Sequence, residues 1–285
     1  MKSFLVIFNN KSGKKEAYSY KKQIYKKLSV AGIKFKFVFI DVLPFLGSLE
    51  KYDSIIVVGG DGSICSVLPY LIGTEKKLGI VPIGTANLLA AKLGISLSVD
   101  KALDVILEGK TKKIDVGKIN DKPFILRLGF GYDADIINKT PQWLKRKLGY
   151  LAYFIFGIKS LCSLKTKRYR LKTDNKLFIT ASCIIIANSS NMFRNLFSVS
   201  DNSFLDDGMF DLFVVRSDNP FIFIYEFFKI LLNIKVCTKN ILYKKVSQIN
   251  IKTKENSIHI DGERYEKGDN LKIVIIPHSI DVYCK

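Results

Sequence analysis

Residues 55–63 read Ile55-Ile56-Val57-Val58-Gly59-Gly60-Asp61-Gly62-Ser63, four β-branched residues and then a loop of three glycines around one acid. An apolar segment, Ile64–Leu71, follows. That order predicts a buried strand, a tight turn and the start of a helix. Glycines let backbone N–H groups approach a ligand without Cβ obstruction, and the positive end of the following helix favours phosphate. Ser63 is placed to be the N-cap. Pro69 should kink or shorten the helix, because it lacks the amide that would bond back to Cys65. A plain strand-to-helix turn does not call for Gly-Gly-Asp-Gly, so the loop is expected to hold phosphate.

The flanking sequence repeats the pattern. Phe4–Phe8, Phe35–Ile40, Ile55–Val58 and Leu78–Val81 are short apolar runs, and Lys14–Ala31, Ile64–Leu71 and Thr85–Leu93 read as helices between or after them. Fully apolar strands alternating with helices predict a parallel sheet covered on both faces. Asn9-Asn10-Lys11-Ser12-Gly13 follows the first strand, and Pro82-Ile83-Gly84-Thr85-Ala86-Asn87 follows the fourth. Each is an ordinary loop composition by itself. Their occurrence after successive parallel strands predicts that three polar loops meet at one sheet edge. The chain has neither Gly-x-x-x-x-Gly-Lys-Ser/Thr nor Gly-x-Gly-x-x-Gly after its first strand, which argues against a P-loop NTPase and a Rossmann dehydrogenase.

From about Ile114 the texture changes. Arg168–Lys172, Phe178–Ala187, Met209–Val215, Val246–Lys252 and Leu271–Ile276 are rich in Ile, Val, Phe and Tyr, and several alternate apolar with polar. This predicts a mainly antiparallel β-sandwich, interrupted by helices near Gln142–Leu161 and Pro220–Lys235. The expected division is an α/β domain over 1–120, to which a last strand near 277–285 returns, and a β-rich domain over 121–276.

The 285 residues carry 45 basic and 26 acidic side chains, a formal charge of +19, which favours an anionic partner. Cys65, Cys162, Cys183, Cys237 and Cys284 lie far apart, with no Cys-x-x-Cys pair, so neither a zinc site nor a disulfide framework is indicated and a reducing cytoplasm is expected. The apolar run at the N-terminus is too short for a signal peptide core, and no run approaches the roughly 20 residues of a membrane span.

Five motifs in order resemble the diacylglycerol kinase catalytic-domain family, in particular its bacterial diacylglycerol kinase-like lipid kinases. They are Gly59–Ser63, Pro82–Asn87, Gly129-Phe130-Gly131-Tyr132-Asp133-Ala134, Asp206-Asp207-Gly208-Met209-Phe210-Asp211 and Asp261-Gly262-Glu263. Nearly the whole chain is covered. The resemblance implies a fold of the NAD kinase and diacylglycerol kinase type, with ATP held in the first domain by Asn9, Ser12, Gly13, Gly59, Gly60, Asp61, Gly62, Ser63, Gly84, Thr85 and Asn87. It implies a lipid acceptor bound toward the second domain. Phosphoryl transfer needs a divalent cation and a carboxylate for the attacking hydroxyl. Asp61 is assigned to Mg²⁺ and the phosphates, and the base to Glu263, with Asp261 as the other candidate. A separate structural Mg²⁺ site is implied at Asp207 with carbonyls near Phe204 and Met209. Three features depart from the family: Asn10 replaces a proline, Leu88 replaces an acid, and 197–203 lack the usual Pro and Ala.

A lipid acceptor implies contact with an anionic membrane surface at the inner face, the protein being peripheral. Trp143–Phe154 and Phe221–Leu232 set basic residues among aromatics, as an interface segment does, though a helix packed on a sheet accounts for each equally well. A homodimer is a further candidate assembly. Two other functions share part of the pattern: a soluble kinase of the NAD kinase type, which fits Asp261-Gly262-Glu263 poorly, and a basic binding protein. Nucleic acid is not an expected partner, since only charge speaks for it.

Overall fold

The computed structural model of the chain describes residues 3–9, 17–45, 49–141, 143–144, 148, 151–161, 164–173, 176–188, 205–231, 239–254, 257–266 and 268–285. In chain order the elements are β1 (Ser3–Phe8), α1 (Ala17–Val30), β2 (Lys34–Phe39), β3 (Ser54–Gly59), α2 (Asp61–Val67), β4 (Lys77–Pro82), α3 (Leu88–Lys92), α4 (Val99–Glu108) and β5 (Thr111–Ile119). They continue with β6 (Lys122–Phe124), β7 (Arg127–Gly131), α5 (Tyr132–Lys139), α6 (Leu151–Ser160), β8 (Lys167–Lys172), β9 (Lys176–Ala181), β10 (Cys183–Ala187) and β11 (Phe210–Val215). Last come α7 (Pro220–Leu231), β12 (Ile241–Val246), β13 (Gln248–Lys252), β14 (Ile258–Ile260), β15 (Glu263–Tyr265) and β16 (Asn270–Tyr283). The chain divides into unit 1, residues 1–114 with 278–285, and unit 2, residues 115–277.

Unit 1 is an α/β layer. Its strands run β2-β1-β3-β4 and then the end of β16, and every neighbouring pair is parallel. β3 is buried at all six positions and β1 and β4 at five of six each, which is why their sequences are unbroken apolar runs. β2 lies at the edge and its exposure varies along the strand. α4, which no expected element covered, packs on β4 where Gly79 leaves room: a Cβ there would sit 2.9 Å from Ile106 Cδ1. The end of β16 is pinned by a buried hydrogen bond of 2.9 Å between Ser54 Oγ and the Tyr283 hydroxyl.

The order β2-β1-β3-β4 makes a topological switch point between β1 and β3, because the connections that follow these two neighbouring strands run in opposite directions along the sheet. Open α/β sheets bind ligands at such a point, beyond the carboxyl ends of the strands. Local geometry differs from expectation at two loops. The N-cap of α2 is Gly60, with φ −108° and ψ −171°, and Ser63 lies buried inside the helix because its hydroxyl turns to Asn9 instead. The helix of 85–93 begins only at Leu88, since Asn87 adopts a left-handed φ of 49°. The expected effect of Pro69 is seen: α2 stops at Val67, and a 3-10 turn, Leu68–Tyr70, follows.

Unit 2 is a β-sandwich. Its six-stranded antiparallel sheet has the order β12-β11-β10-β7-β14-β15, and β9, β8, β13 and the first part of β16 form a second antiparallel sheet. Ile184, Ile186, Leu212 and Val214 from one sheet and Leu171, Ile249, Ile251 and Ile273 from the other share a single core. Cys183, Ile185 and Val215 point the other way, to Tyr132 and Ile136 of α5 and Phe223 of α7, as the period of two along a strand requires. The run 178–187 is broken at Ser182, whose carbonyl accepts the Tyr132 N–H at 2.9 Å. Gly131, with φ 67°, makes this approach, for a Cβ there would lie 2.4 Å from the Ser182 oxygen.

Phe124 stacks on Phe210 at 5.5 Å and fills the space left by Gly117, whose Cβ would fall 2.2 Å from Phe124 Cζ. Phe124→Ala is therefore expected to cost about 3–5 kcal/mol, read as a lower urea midpoint.

Candidate active site

At the switch point of unit 1 three loops lock together. Asn9 Nδ2 donates to Ser63 Oγ at 2.8 Å, and the Asn9 N–H donates to the Val58 carbonyl at 3.0 Å, joining the loops after β1 and β3. The loops after β3 and β4 touch backbone to backbone: a Cβ on Gly84 would lie 2.4 Å from Gly60 Cα, and a Cβ on Gly60 would lie 3.1 Å from Gly84 Cα. The buried Asn87 closes its own turn, accepting the Gly84 N–H at 3.1 Å and donating to the Gly84 carbonyl at 2.8 Å. Asp61 then bridges the two loops. Its Oδ2 accepts the Leu88 N–H at 3.0 Å and its Oδ1 the Leu89 N–H at 3.1 Å, so it caps α3 in place of a local residue.

The structure thus brings together Asn9, Gly59, Gly60, Asp61, Gly62, Ser63, Gly84 and Asn87, and leaves Thr85 exposed on the same loop. Ser12 and Gly13 lie outside the described residues. A carboxylate oxygen can accept twice, so the two amides do not bar Asp61 from a cation. Asp61 would be the residue to hold a Mg²⁺ ion here. Among the described residues no three acidic, His or Cys side chains form a metal cluster.

In unit 2, Asp261 and Gly262 form the turn between β14 and β15. Asp261 has a left-handed φ of 49°, and its carboxylate accepts the N–H groups of Ile125 at 2.8 Å, Leu126 at 2.8 Å and Arg127 at 2.7 Å. Those three amides occupy it as a tie between the turn and the start of β7. Glu263 is different: it is exposed, and its side chain bonds to no described residue. All three residues of β14, Ile258, His259 and Ile260, are buried.

His259 was not singled out from the sequence, and Asp133 stood there within a motif without a role, yet the two form a buried polar cluster of unit 2. His259 Nε2 lies 2.6 Å from Asp133 Oδ2, and Arg127 Nη1 lies 3.2 Å from Asp133 Oδ1. Burial alone would raise the Asp133 pKa, but the Arg127 charge and the hydrogen bonds from His259 and Arg127 outweigh it and hold the carboxyl below its ordinary value. The signal was present in Gly129-Phe130-Gly131-Tyr132-Asp133: a Cβ on Gly129 would lie 2.0 Å from Asp133 Oδ2, so the first glycine is the space the acid needs.

Asp207 has partners of its own. Lys245 Nζ pairs with its Oδ2, and the Met209 N–H donates to its Oδ1 at 3.0 Å. Phe204 lies outside the described residues. An ammonium from β12 supplies positive charge beside Asp207. The neighbouring Gly208, with φ 67°, donates its N–H to Asp115 Oδ2 at 2.7 Å.

An α/β unit whose polar loops interlock at the switch point, joined in sequence to a β-sandwich with a carboxylate-bearing turn, is the architecture that the diacylglycerol kinase catalytic-domain family was expected to have. The sequence model of the diacylglycerol kinase catalytic domain matches residues 3–119, and that of the YegS C-terminal NAD kinase beta sandwich-like domain matches residues 127–284. Diacylglycerol kinase of Bacillus subtilis (strain 168) is 29% identical over 220 residues, 76% of this chain and 73% of its own length. Diacylglycerol kinase of Staphylococcus aureus (strain Newman) is 31% identical over 221 residues, 75% of this chain and 69% of its own. A crystal structure of a diacylglycerol kinase from Bacillus anthracis (strain Sterne) matches the fold with a TM-score of 0.80 at 24% identity, over 100% of this chain and 97% of that one. The chain belongs to the diacylglycerol kinase catalytic-domain family, among its bacterial diacylglycerol kinase-like members. Membership implies ATP as phosphate donor.

The Asp133 cluster also makes a pH prediction. Its folded pKa lies below the ordinary 3.8, so the native state binds fewer protons than the unfolded chain in that window. The stability it contributes is complete above pH 3.8 and is lost as pH falls through the lower folded value. Asp133→Asn should flatten this acid limb, measured as urea midpoints from about pH 5 to pH 2.

Proposed function

We propose that the chain transfers the γ-phosphate of ATP to a hydroxyl of diacylglycerol or a related lipid alcohol. The observation that carries the nucleotide half is the interlock at the β1/β3 switch point, where Asn9–Ser63, Gly60–Gly84 and Asp61–Leu88 hold the loops together. The acceptor half rests on kinship with proteins named diacylglycerol kinase.

In the transfer a bond forms between the acceptor oxygen and the γ-phosphorus while the bridging β–γ oxygen leaves with its electron pair on ADP. The hydroxyl proton goes to Glu263, the carboxylate of the turn that is exposed and unengaged. Asp261 positions that turn through its three amide bonds. Asp61 holds the loops around the phosphates and offers a carboxylate oxygen to Mg²⁺. When bound, the ion neutralises phosphate charge.

Lipid acceptors lie in a bilayer, and no helix among the described residues is long and apolar enough to cross one. Peripheral docking on an anionic surface suits the exposed Ile155 and Ile158 of α6, Phe221 and Tyr225 of α7, and Trp143, together with the +19 charge. Lys139, Lys165 and Lys167 rim a hollow of about 290 Å³ beside α5. Of the expected basic segments, 145–147, 149–150 and 232 lie outside the described residues.

Radiolabelled ATP offered with diacylglycerol, monoacylglycerol, a sphingoid base and NAD should label a lipid, and labelling of NAD instead would sink the proposal. Glu263→Gln should lower kcat by about 10²- to 10⁴-fold with the KM for ATP little changed. For docking, Phe221→Ser with Tyr225→Ser should reduce sedimentation with phosphatidylglycerol vesicles while sparing activity on a short-chain, water-soluble acceptor. Unchanged sedimentation would remove α7 from the docking surface.

A further inference from the structure

We infer that His259 is a positioning residue: Asp133 holds it in the tautomer with the proton on Nε2, and its bare Nδ1 fixes the Gly262 amide and thereby the turn that carries Glu263. The inference rests on the reading of Glu263 as the base.

The hydrogen-bond pattern determines the tautomer. The Gly262 N–H points at His259 Nδ1 at 3.3 Å, and a backbone amide can only donate, so Nδ1 must accept and carry no proton. Nε2 therefore carries it and donates to Asp133 Oδ2 at 2.6 Å. Arg127 occupies the other Asp133 oxygen, so the carboxylate cannot rotate away without losing an ion pair.

The surroundings leave the imidazole no alternative place. His259 is fully buried and sits opposite Gly129 in the β7/β14 pairing. A Cβ on Gly129 would lie 2.3 Å from His259 Nε2 and 2.0 Å from Asp133 Oδ2, so any larger residue there would part the pair. The turn is then held at two successive residues. Asp261 is tied through its side chain to the amides of 125–127, and Gly262, with φ 87°, is tied through its own amide to His259. Arg127 serves both ties, by its backbone N–H to Asp261 and by its side chain to Asp133. Glu263 comes next and its side chain has no bond of its own, so its place is set by those two ties.

Asp133→Asn tests this through the tautomer. Arg127 needs an acceptor, so it takes the carbonyl oxygen of the new amide side chain and turns the amide nitrogen, a donor, toward His259 Nε2. Nε2 must then accept, the proton moves to Nδ1, and it meets the Gly262 N–H donor to donor. The chain has two histidines, His259 and His278, so ¹H–¹⁵N long-range spectra of the imidazoles resolve both, with His278→Gln giving the assignment. Wild type should show the proton on Nε2, and Asp133→Asn should show it on Nδ1 with a shifted Gly262 amide and kcat lower by about 100-fold. A proton on Nδ1 in wild type overturns the inference whatever the activity, as does an unchanged kcat in a folded Asp133→Asn protein bearing the Nδ1 tautomer.

A second pair of variants keeps the test open if Asp133→Asn does not fold. His259→Asn retains an acceptor on the Nδ1 side, and His259→Gln retains only the donor on the Nε2 side. The Asn variant should keep kcat within about tenfold of wild type and the Gln variant should lose about 100-fold, with similar melting temperatures. Equal losses in both would show a merely structural histidine and overturn the inference. Full activity of Glu263→Gln would overturn the base assignment instead, a result the tautomer spectra do not depend on.

Discussion

A carboxylate that accepts backbone amides is the constraint on which both halves of this protein depend. Asp61 takes the N–H groups of Leu88 and Leu89, and Asp261 takes those of 125, 126 and 127. Hydrogen bonds from amides to an ionised acceptor are about twice as strong as neutral ones, and each of these ties a loop to a segment distant in sequence. Remove the Asp61 tie and the N-terminus of α3 has no cap, since Asn87 turns its side chain back on Gly84. The motif acids are thus first of all architectural, and the chemistry falls to the groups they hold in place.

Glycines complete that architecture by their missing side chains. Gly60 and Gly84 let two loops meet at backbone distance, and Gly129 lets Asp133 and His259 lie over β7. The second case is costly in another way, because it takes three ionisable groups out of water. Breaking a buried ion pair by removing one partner is strongly destabilising even where the intact pair adds little net stability. Arg127, Asp133 and His259 are therefore better understood as a device that fixes geometry than as a source of stability.

The sequence made the parallel strands of unit 1 readable because strands buried on both faces must be continuous apolar runs, as Ile55–Val58 is. The three loops were readable for the same reason: each follows such a run. α4 was missed, although Val99, Ala102, Leu103, Val105 and Ile106 are all buried, because no glycine-rich loop drew attention to it. In unit 2 the runs 178–187 and 246–252 each concealed two strands, since a single residue stepping out of the ladder, Ser182 or Ser247, changes no composition. The Asp133–His259 contact spans 126 residues and could not be read from either end. Tertiary partners also decided the finer roles. Ser63 looked like a cap and became a partner for Asn9, and Asp261, one of the two candidate bases, is also a tie between its turn and the start of β7.

Leu88 sharpens what is asked of Asp61. Where relatives were expected to place an acid, this chain offers an apolar side chain and a backbone N–H, and the N–H goes to Asp61. Among the described residues of these loops Asp61 is the carboxylate that caps α3, while α2, at seven residues, is too short to contribute much of a macrodipole. In the proposed function, phosphate binding depends on how closely loop amides converge, which depends on the Gly60–Gly84 contact and on the Asp61 bridge that holds it. A chain with one acid at this point tolerates less change in that acid than one with two, because the same two oxygens must keep the loops closed while the phosphates are bound.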